Sequence, residues 1–337
     1  MIEQVSQESR ENRDEWRRAR LVANNYFQLI ILPTENCNFR CTYCYEDFSI
    51  GRMKRETIEG IKALLTRRHE DLSNLRVSWF GGEPLVAKDI VFEVAEHATA
   101  LASRSKMKYV GTMTTNAYLL DIKTATRLCN AGVTAYQISL DGPRDVHDRS
   151  RLRADGKGTF DQIWSNLLAI RDSDLPVWIS LRVHIKPETL ASMDELIEQF
   201  RQEFLHDKRF SVFFKAVEHL GGPNDDDTNI FSQAEQASVT RALKTKLYGS
   251  PTGPLDFMFE DYVCYAARPN SLLIRANGDL GKCTVALYDQ RNRLGRLLPD
   301  GTLEVIPGKL DPWVQGIKTL NPAQLACPLS TLPALTR

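Results

Sequence analysis

The stretch that most constrains this chain is Cys37-Asn38-Phe39-Arg40-Cys41-Thr42-Tyr43-Cys44, directly after the apolar run 26–32. Three thiolates so close in sequence can grip one inorganic centre from a single loop. Cysteine thiolates hold iron-sulfur clusters, and three of them leave one iron of a four-iron cubane without a protein ligand. Structural zinc closes with four protein ligands, typically from paired C-x2-C or C-x2-C with H-x3-H knuckles. The x3-then-x2 spacing, with no fourth ligand nearby, does not fit that pattern. Three inert core cysteines fit no better, because no helix or strand period turns all three inward.

The rest of the composition narrows the setting. A chain of 337 residues makes one large or two modest domains with a real core. Lys+Arg and Asp+Glu are equal at 43 each, so no global field argues for nucleic acid or a membrane surface. The seven cysteines are odd in number and clustered by motif, which favours metal ligation in a reducing compartment over a disulfide framework. The first twenty residues carry five acids and five arginines with no apolar core, so they read as a charged helix and not a targeting signal. No apolar run approaches the ~18 to 20 residues of a membrane helix. The expectation is a cytoplasmic protein.

Beyond the cysteine loop the chain alternates between two periods. Helices are expected over 56–68, 89–103, 121–130, 160–171 and 190–204, with Asp121 as an N-cap and Gly132 as a stop. Strands are expected over 26–32, 75–80, 108–114, 135–140, 177–184 and 210–217. Six strands alternating with helices argue for a parallel sheet curled into a partial (β/α)6 barrel, whose chemistry sits at the C-terminal strand ends. The cysteine loop follows the first strand and so falls on that rim. The run Asp225-Asp226-Asp227 lacks neighbouring ligand spacing and reads as a wet loop. A helix over 232–247 precedes a Gly/Pro linker at 249–254. Past it the pattern is β, with one hairpin around Asn277-Gly278 and a second strand pair around Pro299-Asp300-Gly301. The division expected is 1–25 charged extension, 26–220 barrel, 221–255 connection and 256–337 small β-rich domain.

The other strand ends carry polar groups. The second ends in Gly81-Gly82-Glu83-Pro84, where glycines permit close backbone approach and the glutamate offers charge to an ammonium. The third ends in Thr114-Thr115-Asn116. The fourth ends in Ile138-Ser139-Leu140-Asp141-Gly142-Pro143, with Ser139 and Asp141 alternating to one side. Singly each reads as a turn. Together, beside a cluster with an open position, they suit S-adenosylmethionine (SAM), whose amine and carboxylate can fill that position. The pair His147-Asp148 follows in what reads as a loop, where a structural role weighs as much as a base dyad.

These motifs carry a resemblance. The C-x3-C-x2-C loop with Tyr43 before its third cysteine, and the Gly81 to Pro84 motif, resemble the radical SAM superfamily. ISLDGP followed by HD-x2-R and GKGTFD resembles its SPASM/twitch branch. The resemblance implies that Cys37, Cys41 and Cys44 hold a [4Fe-4S] cluster and that the Tyr43 backbone faces the adenine. It further implies that Gly81, Gly82, Glu83 and Pro84 take the methionyl amine, and that Thr115, Asn116, Ser139 and Asp141 lie at the cofactor. Arg151 would pair with the SAM carboxylate, and Arg182 and Val183 would border the nucleoside.

Cys264, Cys283 and Cys327 form a second set, with Gly278-x4-Cys283 as in twitch domains. They imply an auxiliary [4Fe-4S] cluster, whose fourth ligand would be Gln324, water, another residue or the substrate. Cys129 sits on an amphipathic helix and is assigned to packing. The implied reaction is reductive SAM cleavage to a 5′-deoxyadenosyl radical and hydrogen abstraction from a ribosomally made precursor peptide, closing an oxidative side-chain cross-link. No side chain is assigned a catalytic role. The expected partners are that peptide, a reductant such as flavodoxin or ferredoxin, and a separate leader-peptide-binding protein. Oxidation of a small-molecule alcohol or sugar is the alternative. A non-catalytic cluster-binding protein is a third reading, against which the complete set of rim motifs speaks. Sulfatase maturation is disfavoured because those enzymes resemble a seven-cysteine form.

Overall fold

The computed structural model describes residues 21–222, 225–253 and 262–334, together with 15, 18 and 19. The charged helix expected over the first twenty residues falls largely outside that set. So do 223–224 in the loop after the last barrel strand and 254–261, from the last residue of the Gly/Pro linker onward.

The described strands are β1 (Tyr26–Ile31), β2 (Phe39–Cys41), β3 (Asn74–Trp79), β4 (Lys108–Thr115), β5 (Val133–Leu140), β6 (Arg151–Arg153), β7 (Trp178–Ile185), β8 (Phe210–Ala216), β9 (Ser271–Ile274), β10 (Asp279–Gly281), β11 (Gly295–Leu297) and β12 (Leu303–Val305). The helices are α1 (Arg55–Arg68), α2 (Lys88–Ala102), α3 (Ile122–Asn130), α4 (Arg144–Ser150), α5 (Phe160–Arg171), α6 (Met193–Glu203), α7 (Gln233–Tyr248), α8 (Asp311–Thr319) and α9 (Pro322–Ala326). Ten strands make one sheet, in the order β12-β11-β10-β9-β1-β3-β4-β5-β7-β8. From β9 to β8 every neighbouring pair is parallel, and β9 to β12 are antiparallel to one another. This is the partial (β/α)6 barrel with a C-terminal β-rich extension. The C-terminal strands continue the barrel sheet, because β9 lies parallel against β1 with Ile274 opposite Ile31.

Burial follows from the two-sided cover of a parallel sheet. β1 is apolar almost throughout, and five of its six residues are buried. β7 alternates instead: Ile179, Leu181, Val183 and Ile185 are fully covered, whereas Ser180, Arg182 and His184 face the other way and stay partly open. One large core runs beneath the helices, from Leu29, Val77 and Trp79 to Leu167 and Phe200.

Local signals place most element ends. The Asp121 carboxylate accepts from the Thr124 N–H at 2.7 Å and starts α3, and Gly132 beyond its end adopts φ +77°. Ser232 and Glu235 form a reciprocal capping box on α7. Two expectations need correcting. The single helix expected over 190–204 opens as a 3-10 segment, Pro187–Ser192, and only then becomes α6. His147 and Asp148 lie on α4, not in a loop. Both act structurally there. His147 is fully buried with Nε2 at 3.0 Å from Thr159 Oγ1, and Asp148 accepts from the Thr159 and Phe160 N–H groups that open α5.

Candidate active site

The cysteine loop is pinned from two sides. On one, β2 pairs antiparallel with β6, so that Cys41 lies opposite Arg151, and the Thr42 N–H donates to the Ser150 carbonyl at 2.9 Å. On the other, the strand end of β3 presses on the loop backbone. A Cβ on Gly81 would sit 2.3 Å from the Thr34 carbonyl oxygen, and one on Gly82 would sit 2.4 Å from that of Asn36. Gly81 also has φ +112°, a conformation side chains resist. The glycines at 81 and 82 are therefore needed for the approach of β3 to the loop.

Cys37, Cys41 and Cys44 are half-buried free thiols lining one cavity of about 260 Å³. Burial raises all three, Cys44 to about 12. Thiols so placed become thiolates when a cation binds, since a coordinating thiol is deprotonated outright. The Cys37 sulfur already accepts from the Phe39 N–H at 3.3 Å. Among the described residues no three His, Cys, Asp or Glu side chains gather around a position for a single metal ion. A cubane does not ask for that gathering, because each thiolate ligates its own iron.

Opposite the thiols lies a carboxylate held by three donors. Glu83 accepts from the Leu85 N–H (2.9 Å), the Thr115 hydroxyl (2.8 Å) and the Asn116 N–H (2.7 Å), and burial raises its pKa. Asn116 and Asn38 are joined at 2.8 Å, which ties this strand end to the cysteine loop.

A second network runs from the cavity wall at Tyr43, Arg151 and His184 back to Asp141 and Ser150. The Tyr43 hydroxyl donates to Asp141 (2.9 Å) and accepts from Arg151 (2.7 Å), and it lies 3.0 Å from His184 Nδ1. Asp141 also meets His184 Nδ1 at 3.1 Å and takes the Ser150 hydroxyl at 2.6 Å. Burial opposes the Asp141 charge, yet the His184 contact and the Arg151 guanidinium hold its carboxyl well below the usual range. Burial, reinforced by the Arg182 charge, pushes His184 down to about 4, so it is neutral at pH 7.

The residues fit an anionic ligand beside the thiols. Arg151 and Arg182 both line the cavity, and the Nε of each is buried without a hydrogen-bond partner. Two unpaired guanidinium donors are costly unless a carboxylate or similar group meets them. The Glu83 carboxyl group, held by three donors in the same cavity, offers oxygens to an ammonium. A small amphoteric ligand with both groups matches the donor set.

Of the residues expected from sequence, Cys37, Cys41, Tyr43, Cys44, Gly81, Gly82, Glu83, Thr115, Asn116, Ser139, Arg151 and Arg182 line this cavity. Pro84 is buried at the start of a 3-10 turn, and Asp141 acts through Tyr43 and His184. The Val183 side chain points into the hydrophobic core, while its neighbours Arg182 and His184 face the cavity. His184 escaped sequence reasoning, although its spacing of two from Arg182 on a strand carried the signal. Glu46 also escaped it: this carboxyl lines the cavity with Oε2 unpartnered, and burial, aided by the Glu35 charge, raises it to about 8.

The second set of thiols is spread more loosely. Cys283 is buried, Cys264 half-buried and Cys327 exposed. Their charges bear on one another: burial, together with the Cys264 and Cys327 charges, pushes Cys283 up to about 11. Asn292 clamps Cys283 through its N–H (3.0 Å) and carbonyl (2.8 Å), and the Cys264 N–H donates to the Leu325 carbonyl at 2.8 Å. The Gln324 side-chain oxygen accepts from the Thr319 hydroxyl at 2.9 Å.

A barrel whose rim carries three thiols, a buried glutamate and two guanidiniums, each with an unpartnered Nε, matches a class of cluster-dependent SAM enzymes. The radical SAM superfamily profile matches residues 31–200, and the chain belongs to that superfamily. It is similar to the cysteine-type anaerobic sulfatase-maturating enzyme of Clostridium novyi, with 27% identity over 207 residues, covering 58% of this chain and 53% of that protein. It is also similar to the GTP 3′,8-cyclase of a Sulfurovum species, with 26% identity over 228 residues and 64% of each chain. The chain thus spans between about half and two thirds of the length of these relatives. In fold it resembles native anSMEcpe with bound AdoMet and Kp18Cys peptide, at TM-score 0.62, 17% identity, and 85% of this chain against 80% of that one. It also resembles Streptococcus suis SuiB bound to precursor peptide SuiA, at TM-score 0.58, 15% identity, and 92% against 71%. Membership implies SAM and a [4Fe-4S] cluster.

Proposed function

We propose that this enzyme oxidises a ribosomally synthesised peptide, joining two of its side chains. The observation that carries the SAM half is the pair of guanidinium side chains, Arg151 and Arg182, that line the cavity shared by the three thiols and Glu83. When bound, the cluster and SAM would supply a 5′-deoxyadenosyl radical by reductive cleavage. Cys37, Cys41 and Cys44 hold the cluster. Glu83 meets the methionyl ammonium, Arg151 and Arg182 take the carboxylate side, and Thr115, Asn116 and Ser139 complete the wall. Gly81, Gly82 and Pro84 shape the approach, Tyr43 and Asp141 brace Arg151, and the backbone of Val183 borders the nucleoside side.

Abstraction of one hydrogen atom from the peptide, with loss of a further electron and proton, removes two hydrogens as the new bond forms. Cys264, Cys283 and Cys327 would hold an auxiliary [4Fe-4S] cluster, which would supply an acceptor for that electron, within a C-terminal unit over 256–337. The engagement of Gln324 by Thr319 favours water, another residue or the substrate as its fourth ligand. The likeness to two peptide-bound structures supports the peptide over a small-molecule alcohol or sugar. We place the enzyme in the cytoplasm, with a flavodoxin- or ferredoxin-type reductant and a separate leader-binding protein. Among the described residues no helix is long and apolar enough to cross a membrane.

The test is anaerobic incubation with SAM and dithionite, beside co-expression with a peptide encoded next to this chain. Deoxyadenosine formation and loss of two hydrogens from the peptide are expected. Deoxyadenosine with no peptide product would move the substrate to the small-molecule class, and its absence with a loaded cluster would sink the enzyme reading.

A further inference from the structure

The sheet has an open edge beside the cavity. β8 pairs with β7 on one side and, among the described residues, with no strand on the other. In a parallel strand alternate residues turn their backbone groups to opposite sides. Val217 donates to Ile185 next to β7, which marks the odd positions as facing inward. Val212 faces outward, and there the Tyr248 hydroxyl both accepts from its N–H (2.9 Å) and donates to its carbonyl (2.8 Å). Phe214 and Ala216 continue that outward register, and among the described residues no backbone group or side chain takes up their N–H and carbonyl. Proteins usually cover, bulge or charge such an edge, because it templates pairing with another strand.

This edge opens onto a groove of about 480 Å³ between β8 and α7. Among the described residues its cations are Lys215, Arg241 and Lys244 and no carboxylate lines it; Lys215 pairs with Glu218 at 2.7 Å, and Lys244 is also engaged. Gln233 and Gln236 add amides on the α7 side. Lys215 and Ala216 line the groove and also the cavity that holds the three thiols. The groove therefore adjoins the reaction chamber, with Lys215 and Ala216 between them.

We propose that β8 and α7 dock an extended, acidic segment of the peptide substrate, which adds to the sheet edge as a further strand and leads the reacting residues into the cavity. This rests on the peptide reading above. Backbone pairing at Phe214 and Ala216 supplies sequence-tolerant affinity, and the cations select acidic side chains.

The test uses the full chain and fluorescence anisotropy with a labelled peptide of alternating Glu and Val, against its Lys-Val counterpart. Wild type is expected to prefer the acidic peptide by about tenfold or more. Ala237→Trp, an exposed helix position in the groove, is expected to weaken binding by about tenfold through blockage, and Arg241→Glu to remove the preference. Both variants should form deoxyadenosine as wild type does without peptide. Equal binding of the two peptides, or wild-type affinity in Ala237→Trp, overturns the proposal. So does a peptide-free dimer that Ala237→Trp dissolves, which would assign the groove to a second copy. If the co-expressed peptide loses two hydrogens equally in wild type and Ala237→Trp, the peptide reading stands and the groove falls. If wild type yields no peptide product, the peptide reading falls and anisotropy alone judges the groove.

Discussion

The two sets of cysteines make an instructive contrast. Cys37, Cys41 and Cys44 sit within one loop that β6, the Gly81-Gly82 approach and Asn116 hold in place. Cys264, Cys283 and Cys327 are spread over three separate connections and range from buried to exposed. The first set is preorganised by backbone contacts to the barrel. The second depends on docking of the C-terminal turns through Asn292 and Leu325. A site for a radical generator calls for the first kind of rigidity. An electron acceptor or substrate anchor can sit on looser elements.

Removing each set sharpens that contrast most. Wild type should hold about eight irons and eight sulfides, and either triple Cys→Ala variant about four of each. Deoxyadenosine should vanish only in the Cys37/Cys41/Cys44 variant. About four irons falling to none in that variant would show that the C-terminal thiols hold no cluster.

Asp141→Ala breaks the bracing of the first set next. It strips the acceptor from Tyr43, Ser150 and His184 and leaves Arg151 short of its counter-charge. A loss of about 3 to 5 kcal/mol in chemical denaturation is expected. Gly81→Ala should cost about 2 to 3 kcal/mol through positive φ and the clash with Thr34, and lower iron in the first site alone. Equal iron loss from both sites would mean the two regions are not independent.

Acid separates the regions more gently. His147 and His184 are held near 4 in the fold, below the 6.5 of a free histidine. The unfolded chain therefore binds more protons between those values, and stability falls as pH drops from 6.5 towards 4. Each histidine contributes a slope of up to about 1.4 kcal/mol per pH unit. His184→Gln should flatten the curve in that window, and an unchanged slope would remove His184 from the account. The smallest effect is expected from Gln324→Ala, within about 0.5 kcal/mol and with C-terminal iron unchanged. Lost iron there would make Gln324 a ligand.

Much of this was legible beforehand because it is local. The spacing of Cys37, Cys41 and Cys44, the Gly81 to Pro84 turn, the Asp121 cap and the strand-helix periods all depend on neighbours a few residues away. The β2-β6 ribbon is a different matter. Two three-residue strands more than a hundred positions apart carry no period of their own, yet they set Cys41 opposite Arg151. The same holds for β9, whose short apolar run does not announce that it will lie parallel on β1.

The amino-acid sequence by itself determined the cluster loop, the barrel class and the chemical types on the rim, since each follows from residue identity and short-range spacing. Only the tertiary structure decided which of those groups meet. It turned Arg182 and His184 to the cavity and Val183 to the core, left the Arg151 and Arg182 Nε groups unpaired and, among the described residues, gave the outer edge of β8 no partner strand. Those outcomes depend on strand order, register and burial, which arise from packing between distant segments and have no local signature.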